Sequence, residues 1–317
     1  MSKIVECVPN FSEGRRAEIV DQIVNAMRGS AAIEILDIQM NGDHNRAVIS
    51  FIGEPEAVLE AAFQGCKKAT ELIDLREHKG EHPRIGATDV IPFVPISDIS
   101  MLECVELAKR LGERIARELK IPVYLYEEAA TSPERQNLAN LREGEFEGLR
   151  TAIETDPKRK PDYGEARIHP SAGATVVGAR FPLIAYNINL NTPDVSIAKK
   201  VAKAIRFKDG GFKFAKALGF EIKTEEPVSQ TLGQVSINMT NYLGTPLFRV
   251  FETVKREAER YGVMIKNSEI VGMVPQKALI DTAVYYLQMD NFKDEQILEN
   301  RLKAKESLFD YVMAIAA

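Results

Sequence analysis

The spacing of apolar residues along this chain switches repeatedly between a period of two and a period of about 3.6, and each switch falls on a turn or capping residue. Residues 4–8 alternate as a strand and break at Pro9-Asn10-Phe11-Ser12-Glu13-Gly14. Ile19, Val20, Ile23, Val24 and Met27 then form a helical stripe, with Ser12 as its expected cap and Gly29 as its stop. Residues 32–38 and 47–52 read as strands joined through Asn41-Gly42-Asp43-His44-Asn45, a hairpin. Pro55 opens a long helix reaching Ile73, Ser100 opens another reaching Leu119, and residues 121–126 form a strand. Residues 127–160, rich in Glu and Arg, are expected to form short helices and a surface connection. The second half repeats the grammar. Apolar runs at 173–179 and 183–190 are joined by a turn around Arg180-Phe181-Pro182, followed by a helix over 193–207 and a shorter helix from the Gly210-Gly211 break to Gly219. Strands at 220–225 and 234–240, a helix over 245–261 closed by Gly262, a strand over 263–274 and a helix from Pro275 follow, with one amphipathic helix after them. This predicts an α+β chain (an α/β plait) of two ferredoxin-like subdomains, each a mixed or antiparallel sheet with helices packed on one face. The boundary is expected near residues 160–180.

Composition narrows what such a chain can bind. A formal charge of −5 over 317 residues gives no concentrated basic face, which argues against nucleic acid as a partner. An anionic ligand must then be held by a local cluster of Arg, Lys or backbone N–H groups. Cys7, Cys66 and Cys104 are isolated in apolar patterns and read as buried free thiols of a reducing compartment. With no signal core at the N-terminus and no apolar window near the ~20 residues of a membrane span, a cytoplasmic protein is expected, with no membrane partner. The four histidines (His44, His78, His82 and His169) fit no zinc spacing, so no metal is expected. Phosphate loops, dinucleotide fingerprints and nucleophile elbows are also missing from the sequence.

Histidine acid–base chemistry remains. Residues 78–95 form a polar loop opening into a buried strand, with His78, Lys79, Glu81, His82, Arg84 and Asp89 close together. A loop histidine with an ordinary pKa near ~6.5 can take and give a proton at neutral pH. Pro83 stiffens the backbone after His82, and Gly80 and Gly86 permit tight turns, so His82 is the candidate; a solvated loop histidine is the competing description. Residues 161–172 contain too many breakers for a regular element. They serve either as an interdomain linker or as a ligand loop, with Tyr163 for stacking, Gly164 for close approach, and Arg167 and His169 for carboxylates, suiting a flat, acidic heteroaromatic ligand. Strand alternation sends Asn187 and Asn189 to one face, where they need partners or a ligand. Asn10 and Asn45-Arg46 are further candidates for handling anions, with capping and turn roles as the alternatives.

These segments resemble one family, the formiminotransferase domain of histidine breakdown. The likeness is carried by Val-Glu-Cys-Val-Pro-Asn-Phe-Ser-Glu-Gly at 5–14 and by the ungapped run Lys79-Gly80-Glu81-His82-Pro83-Arg84-Ile85-Gly86-Ala87-Thr88-Asp89-Val90. Pro161-Asp162-Tyr163-Gly164, Gly173-Ala174-Thr175 and Ala185-Tyr186-Asn187-Ile188-Asn189 add to it. Glu165 and Gln39 depart from the family's pattern. The resemblance implies transfer of a formimidoyl group between N-formimidoyl-L-glutamate and tetrahydrofolate by a homodimer; the alternatives are a formyl-glutamate donor or a folate-binding protein without turnover. It implies His82 as general acid/base and a folate-binding stretch of Tyr163, Gly164, Glu165, Ala166, Arg167, Ile168, His169, Pro170, Ser171 and Ala172. Asn10, Asp37, Arg46, Arg84, Asn187 and Asn189 are implied as substrate contacts. It further implies an N-terminal subdomain over 1–180 holding His82 and the folate loop, a C-terminal subdomain over 181–290, a helical extension over 291–317, and a stand-alone form without a cyclodeaminase domain.

Overall fold

Between Phe181 and Pro182 the chain passes from one hydrophobic core to another, giving two units in the computed structural model, which describes residues 3–223 and 230–302. The expected C-terminal helix falls largely on residues 303–317, outside the described residues, as do the last two positions of the expected 220–225 strand.

The N-terminal unit begins with β1 (Ile4–Cys7) and β2 (Asn10–Phe11), which share one lane of the sheet. Then come α1 (Ala17–Arg28), the hairpin of β3 (Ile33–Asn41) and β4 (Arg46–Gly53), α2 (Pro55–Leu72) and β5 (Thr88–Ser97). The lateral order β3-β4-(β1, β2)-β5, antiparallel throughout, is the split β-α-β plan. An extension of α3 (Met101–Leu119), β6 (Val123–Glu127), α4 (Leu138–Leu141), α5 (Glu145–Thr155) and β7 (Thr175–Ala179) adds β7 and then β6, both running parallel to β5. Alternation along β4 sends Ala47, Ile49 and Phe51 into the core with Ile23, Met27 and Ala62. Arg46, Val48 and Ser50 therefore line the face turned away from α1 and α2. Farther along that face, Leu141, Leu149 and Ile153 cover Val90, Tyr124, Tyr126 and Val176, so the 127–160 connection also seals part of the sheet.

Local chemistry explains most boundaries. Ser100 and Glu103 form a reciprocal capping box on α3, a motif whose loss costs ~1 kcal/mol. Ser12 does not cap α1. Its hydroxyl donates to the Gly86 carbonyl at 2.7 Å, and Arg16 is instead the N-cap residue of α1. Glu13 takes over the start of that helix, its carboxylate accepting from the Arg15 and Arg16 N–H groups at 2.9 Å each.

The C-terminal unit has β8 (Ile184–Leu190), α6 (Val195–Ile205), β9 (Ala215–Lys223), β10 (Thr231–Met239), α7 (Leu247–Glu259), β11 (Ile265–Val271) and α8 (Gln276–Tyr286). Its antiparallel order β11-β8-β10-β9 is the same split β-α-β plan. The turn at Arg180-Phe181-Pro182 does not join a hairpin, because β7 and β8 belong to different sheets. The expected helix ending at Gly219 is also corrected: its last residues form β9. Ala215 and Ala217 face the core while Lys216 and Leu218 face out, and pairing with β10 along nine residues selects the strand period. Gly219 lets α6 lie on this strand, since a Cβ there would sit 2.4 Å from the Lys199 backbone nitrogen. All three cysteines are buried and free, and no helix among the described residues is long and apolar enough to cross a membrane.

Candidate active site

Register brings five segments to one edge of the N-terminal sheet. β5, β7 and β6 are parallel, so the loops that precede them share that edge. β4 begins there and β2 ends there, since Phe11 pairs with both Ala47 and Thr88. The hairpin tip 41–46, the His82 loop and the 163–174 loop are thereby gathered at that edge.

The His82 loop is pinned from two sides. Asn45, held at φ 47°, accepts from the Gly14 N–H at 2.9 Å and donates its side-chain amide to the Lys79 carbonyl at 3.1 Å. Gly80 passes so close to the tip that a Cβ would lie 2.2 Å from the His44 carbonyl oxygen. On the other side, Ala174 N–H donates to the Ile85 carbonyl at 2.9 Å and Ala87 N–H to the Ala172 carbonyl at 2.8 Å. The end of the expected folate loop is thus bonded to the chain three to five residues after His82. Within that loop, His169 Nδ1 accepts from the Ala172 N–H at 3.0 Å, Ile168 packs inward, and the Tyr163 ring lies against Gly112 of α3.

Arg84, His78 and Asp89 are each committed to defined partners. Arg84 is buried, forms ion pairs with Glu145 and Glu147 at 2.7 Å each, and donates from Nε to His78 Nδ1 at 3.1 Å. Because Nδ1 accepts, His78 Nε2 carries the proton and donates to the Asn45 carbonyl at 2.9 Å, fixing a neutral tautomer. Burial pulls the His78 pKa down, in agreement. Arg84 thus shapes the loop through His78. Asp89, 1 % exposed, accepts the Ile85 N–H at 2.8 Å on one oxygen and the Arg142 Nε–H at 2.9 Å on the other. An open cleft of about 510 Å³ lies on the His78–Arg84 side, lined by Arg76, Lys79, Glu145 and Glu147 among others.

His82 stands apart from this pairing. Its Nε2 meets Nη1 of Arg46, and the His44 ring centre is 6.0 Å away. Burial, then the charges of Arg46 and Arg142, then His44 push its pKa down to about 3, while a hydrogen bond to the Pro83 backbone works the other way. The ring is therefore neutral near pH 7. Arg46 has no carboxylate partner among the described residues, and burial draws its own pKa down to about 10. It shares its sheet face with Asn10 and Asp37, through the register Asn10 to Val48 and Asp37 to Ser50. Asn10 donates to the Val8 carbonyl, and Gln39 donates to Asp37 at 2.6 Å.

Asn187 and Asn189 lie in the other unit, on the face of its sheet turned from the core, as alternation predicts. Asn189 donates to Asn267 at 2.8 Å and accepts from Gln234 at 3.0 Å; Asn187 donates to Glu269 at 3.0 Å. Arg142, Glu145 and Glu147 were not singled out by the sequence, where they sit in the Glu/Arg-rich 127–160 connection. A buried acid at Asp89 implies a cation nearby, but spacing alone does not select Arg142 from its neighbours.

A neutral, half-buried histidine thus touches a guanidinium that has no carboxylate partner among the described residues. The comparisons with known proteins give this site a family. Residues 4–180 match the model for the formiminotransferase domain, N-terminal subdomain, and residues 185–307 match that for the formiminotransferase domain. A glutamate formimidoyltransferase of Streptococcus pyogenes serotype M1 is 51% identical over 303 residues, spanning 95% of this chain and 99% of the relative. One from Thermoplasma acidophilum is 50% identical over 302 residues, spanning 95% and 97%. A formimidoyltransferase-cyclodeaminase of Dictyostelium discoideum is 42% identical over 308 residues, 95% of this chain but 56% of the relative. The chain belongs to the formiminotransferase family.

Proposed function

We propose that this chain is a glutamate formimidoyltransferase, moving the formimidoyl group between N-formimidoyl-L-glutamate and tetrahydrofolate with His82 as the proton carrier. Likeness to the Streptococcus pyogenes enzyme along nearly the whole of both chains carries the assignment. Tetrahydrofolate as co-substrate is assigned to Tyr163–Ala172, whose end is bonded to the loop of His82. The N5 lone pair of tetrahydrofolate forms a C–N bond to the formimidoyl carbon while the C=N π pair retreats to the imino nitrogen. N5 gives its proton to the neutral His82. The tetrahedral carbon then expels the glutamate nitrogen with its bonding pair; that nitrogen takes the proton from His82 as C=N re-forms. A neutral imidazole suits the first step, and its protonated form suits the second. Arg46 suits a donor carboxylate: its guanidinium meets the His82 imidazole and forms no ion pair with an acid among the described residues.

The test is absorbance-monitored formation of 5-formimidoyltetrahydrofolate from N-formimidoyl-L-glutamate. The wild-type chain is expected to turn over, and no product would overturn the assignment. His82→Ala is expected to fold normally and lose about 10²–10⁴ in kcat; wild-type turnover by this variant would remove His82 from the chemistry.

A further inference from the structure

We propose that Arg46 is a latch on His82, released when a carboxylate of the glutamate donor draws its guanidinium away from the imidazole Nε2. The inference rests on the function proposed above and adds an order of events to it: the donor's carboxylate binds first and makes the base available.

Hydrogen-bonding capacity fixes which nitrogen is latched. A guanidinium only donates, so the contact with Arg46 makes Nε2 the ring's lone-pair nitrogen. In a neutral imidazole that leaves the proton on Nδ1. The one lone pair able to receive a proton from a nucleophile is therefore occupied by Arg46. Proton transfer requires the guanidinium to leave.

Pairing explains why a carboxylate would move it. Around this edge of the sheet, Arg16 has Glu13, Arg84 has Glu145 and Glu147, and Arg142 has Asp89; Arg15, on the Gly42 carbonyl, and Arg167 are exposed to water, whereas Arg46 is half-buried. Asp89, the acid on β5, has both oxygens committed, one to the Ile85 N–H and one to Arg142. Arg46 is left with a neutral imidazole, a weaker partner than a carboxylate held by two parallel N–H···O bonds. The charged and titratable groups around His82 are Arg46 from β4, His44 from the hairpin tip, His78 and Arg84 from its own loop (Arg84 held by Glu145 and Glu147), Arg142 following α4, and Asp89, which is paired with Arg142 and also acts on Arg46. Two cations thus act on the ring against one committed acid. A donor carboxylate on Arg46 supplies the missing negative charge and vacates Nε2 in one movement. The contact between Arg46 and His82 is what requires this coupling.

Arg46 is accordingly a positioning residue, and its test reads the histidine directly. Protein with isotope-labelled imidazoles is titrated between pH 5 and 8 by NMR, with His82→Asn identifying the resonance. Without additions, His82 is expected to remain neutral across this range. Saturating L-glutamate is expected to bring a protonation midpoint into it, while acetate at equal ionic strength shifts it less. In Arg46→Met, the midpoint should lie higher without glutamate and not respond to it. Kinetically, Arg46→Met should raise KM for N-formimidoyl-L-glutamate by roughly 10–100-fold, with Arg46→Lys recovering part of the loss. A structural role alone would lower the melting temperature and leave the glutamate response of His82 intact. If Arg46→Met fails to fold, the wild-type titration decides. Normal transfer together with a His82 midpoint that glutamate leaves unmoved would overturn the latch and spare the proposed function. A glutamate-shifted midpoint without transfer to tetrahydrofolate would support the latch and overturn the function.

Discussion

The two sheets follow one folding plan and treat polar side chains on the face turned from their cores in opposite ways. On the C-terminal sheet, Asn187, Asn189, Gln234, Asn267 and Glu269 satisfy one another across three strands. On the N-terminal sheet, Arg46 shares its face with Asn10 and Asp37, meets the neutral His82 ring and has no ion-paired acid among the described residues. A ligand reaching the amide network must replace bonds already made, whereas a ligand reaching Arg46 supplies one that the protein lacks. The difference also follows the histidines: all four lie in the N-terminal unit.

The sharpest way to break this contrast is to separate the two loops that frame His82. Gly86 and Gly173 approach each other's chains so closely that a Cβ would lie 2.0 Å from the Ala174 oxygen or 2.1 Å from the Ile85 oxygen. Gly173 also has φ +73°. Gly86→Ala and Gly173→Ala are each expected to cost more than ~3 kcal/mol, because backbone must move against backbone. Denaturant unfolding should show the loss in the N-terminal unit, with the hydrogen-exchange protection of β8 and β10 retained.

Asp89→Asn comes next. It leaves Arg142, whose side chain is 12% exposed, without its carboxylate. Loss of about 3 kcal/mol is expected, the scale for breaking a largely buried pair, measured by urea unfolding. A loss below ~1 kcal/mol would show that Arg142 reaches solvent on its own.

Acidification should act on the same unit. Burial leads the causes that lower the pKa values of His78, His82 and His169 in the folded protein, with His82 at about 3, against about 6.5 in the unfolded chain. Between those limits the unfolded state binds more protons, so stability rises with pH there; it is lost as pH falls below about 6.5. Hydrogen exchange at pH 5 and 7.5 is expected to show histidine-linked weakening of β5 and β7, with β8 and β10 nearly unchanged. Equal weakening of both units would detach the effect from the histidines.

Much of this architecture was legible because long helices and a capping box leave a periodic trace, as at Ser100 with Leu107, Leu111 and Ile115. The stretch before Gly219 reads as a helix from its alanines and lysines, and only pairing with β10 makes it a strand. In the site, His82 and Arg46 stood out as residue types in a loop and a turn. Their contact did not, since 36 positions separate them and it depends on hairpin register. Arg142 was hidden for a similar reason, meeting Asp89 only after the 127–160 connection folds back over the sheet.

The smallest expected effects belong to the amide network, where they separate burial from pairing. Asn189 is 8% exposed and bonds two neighbours, so Asn189→Ala leaves the buried Gln234 amide with only its longer 3.5 Å bond to Glu269 and the exposed Asn267 carbonyl to water. A cost of about 1–2 kcal/mol is expected. Asn187 is half-buried and bonds Glu269, which water can also serve, so Asn187→Ala should cost only about 0.5 kcal/mol. Thermal unfolding of both variants checks the ranking. If the network is self-contained, neither change will move the NMR titration of His82. A shifted His82 midpoint in Asn187→Ala would show instead that this face is coupled to the histidine site, and the contrast between the two sheets would fail at that point.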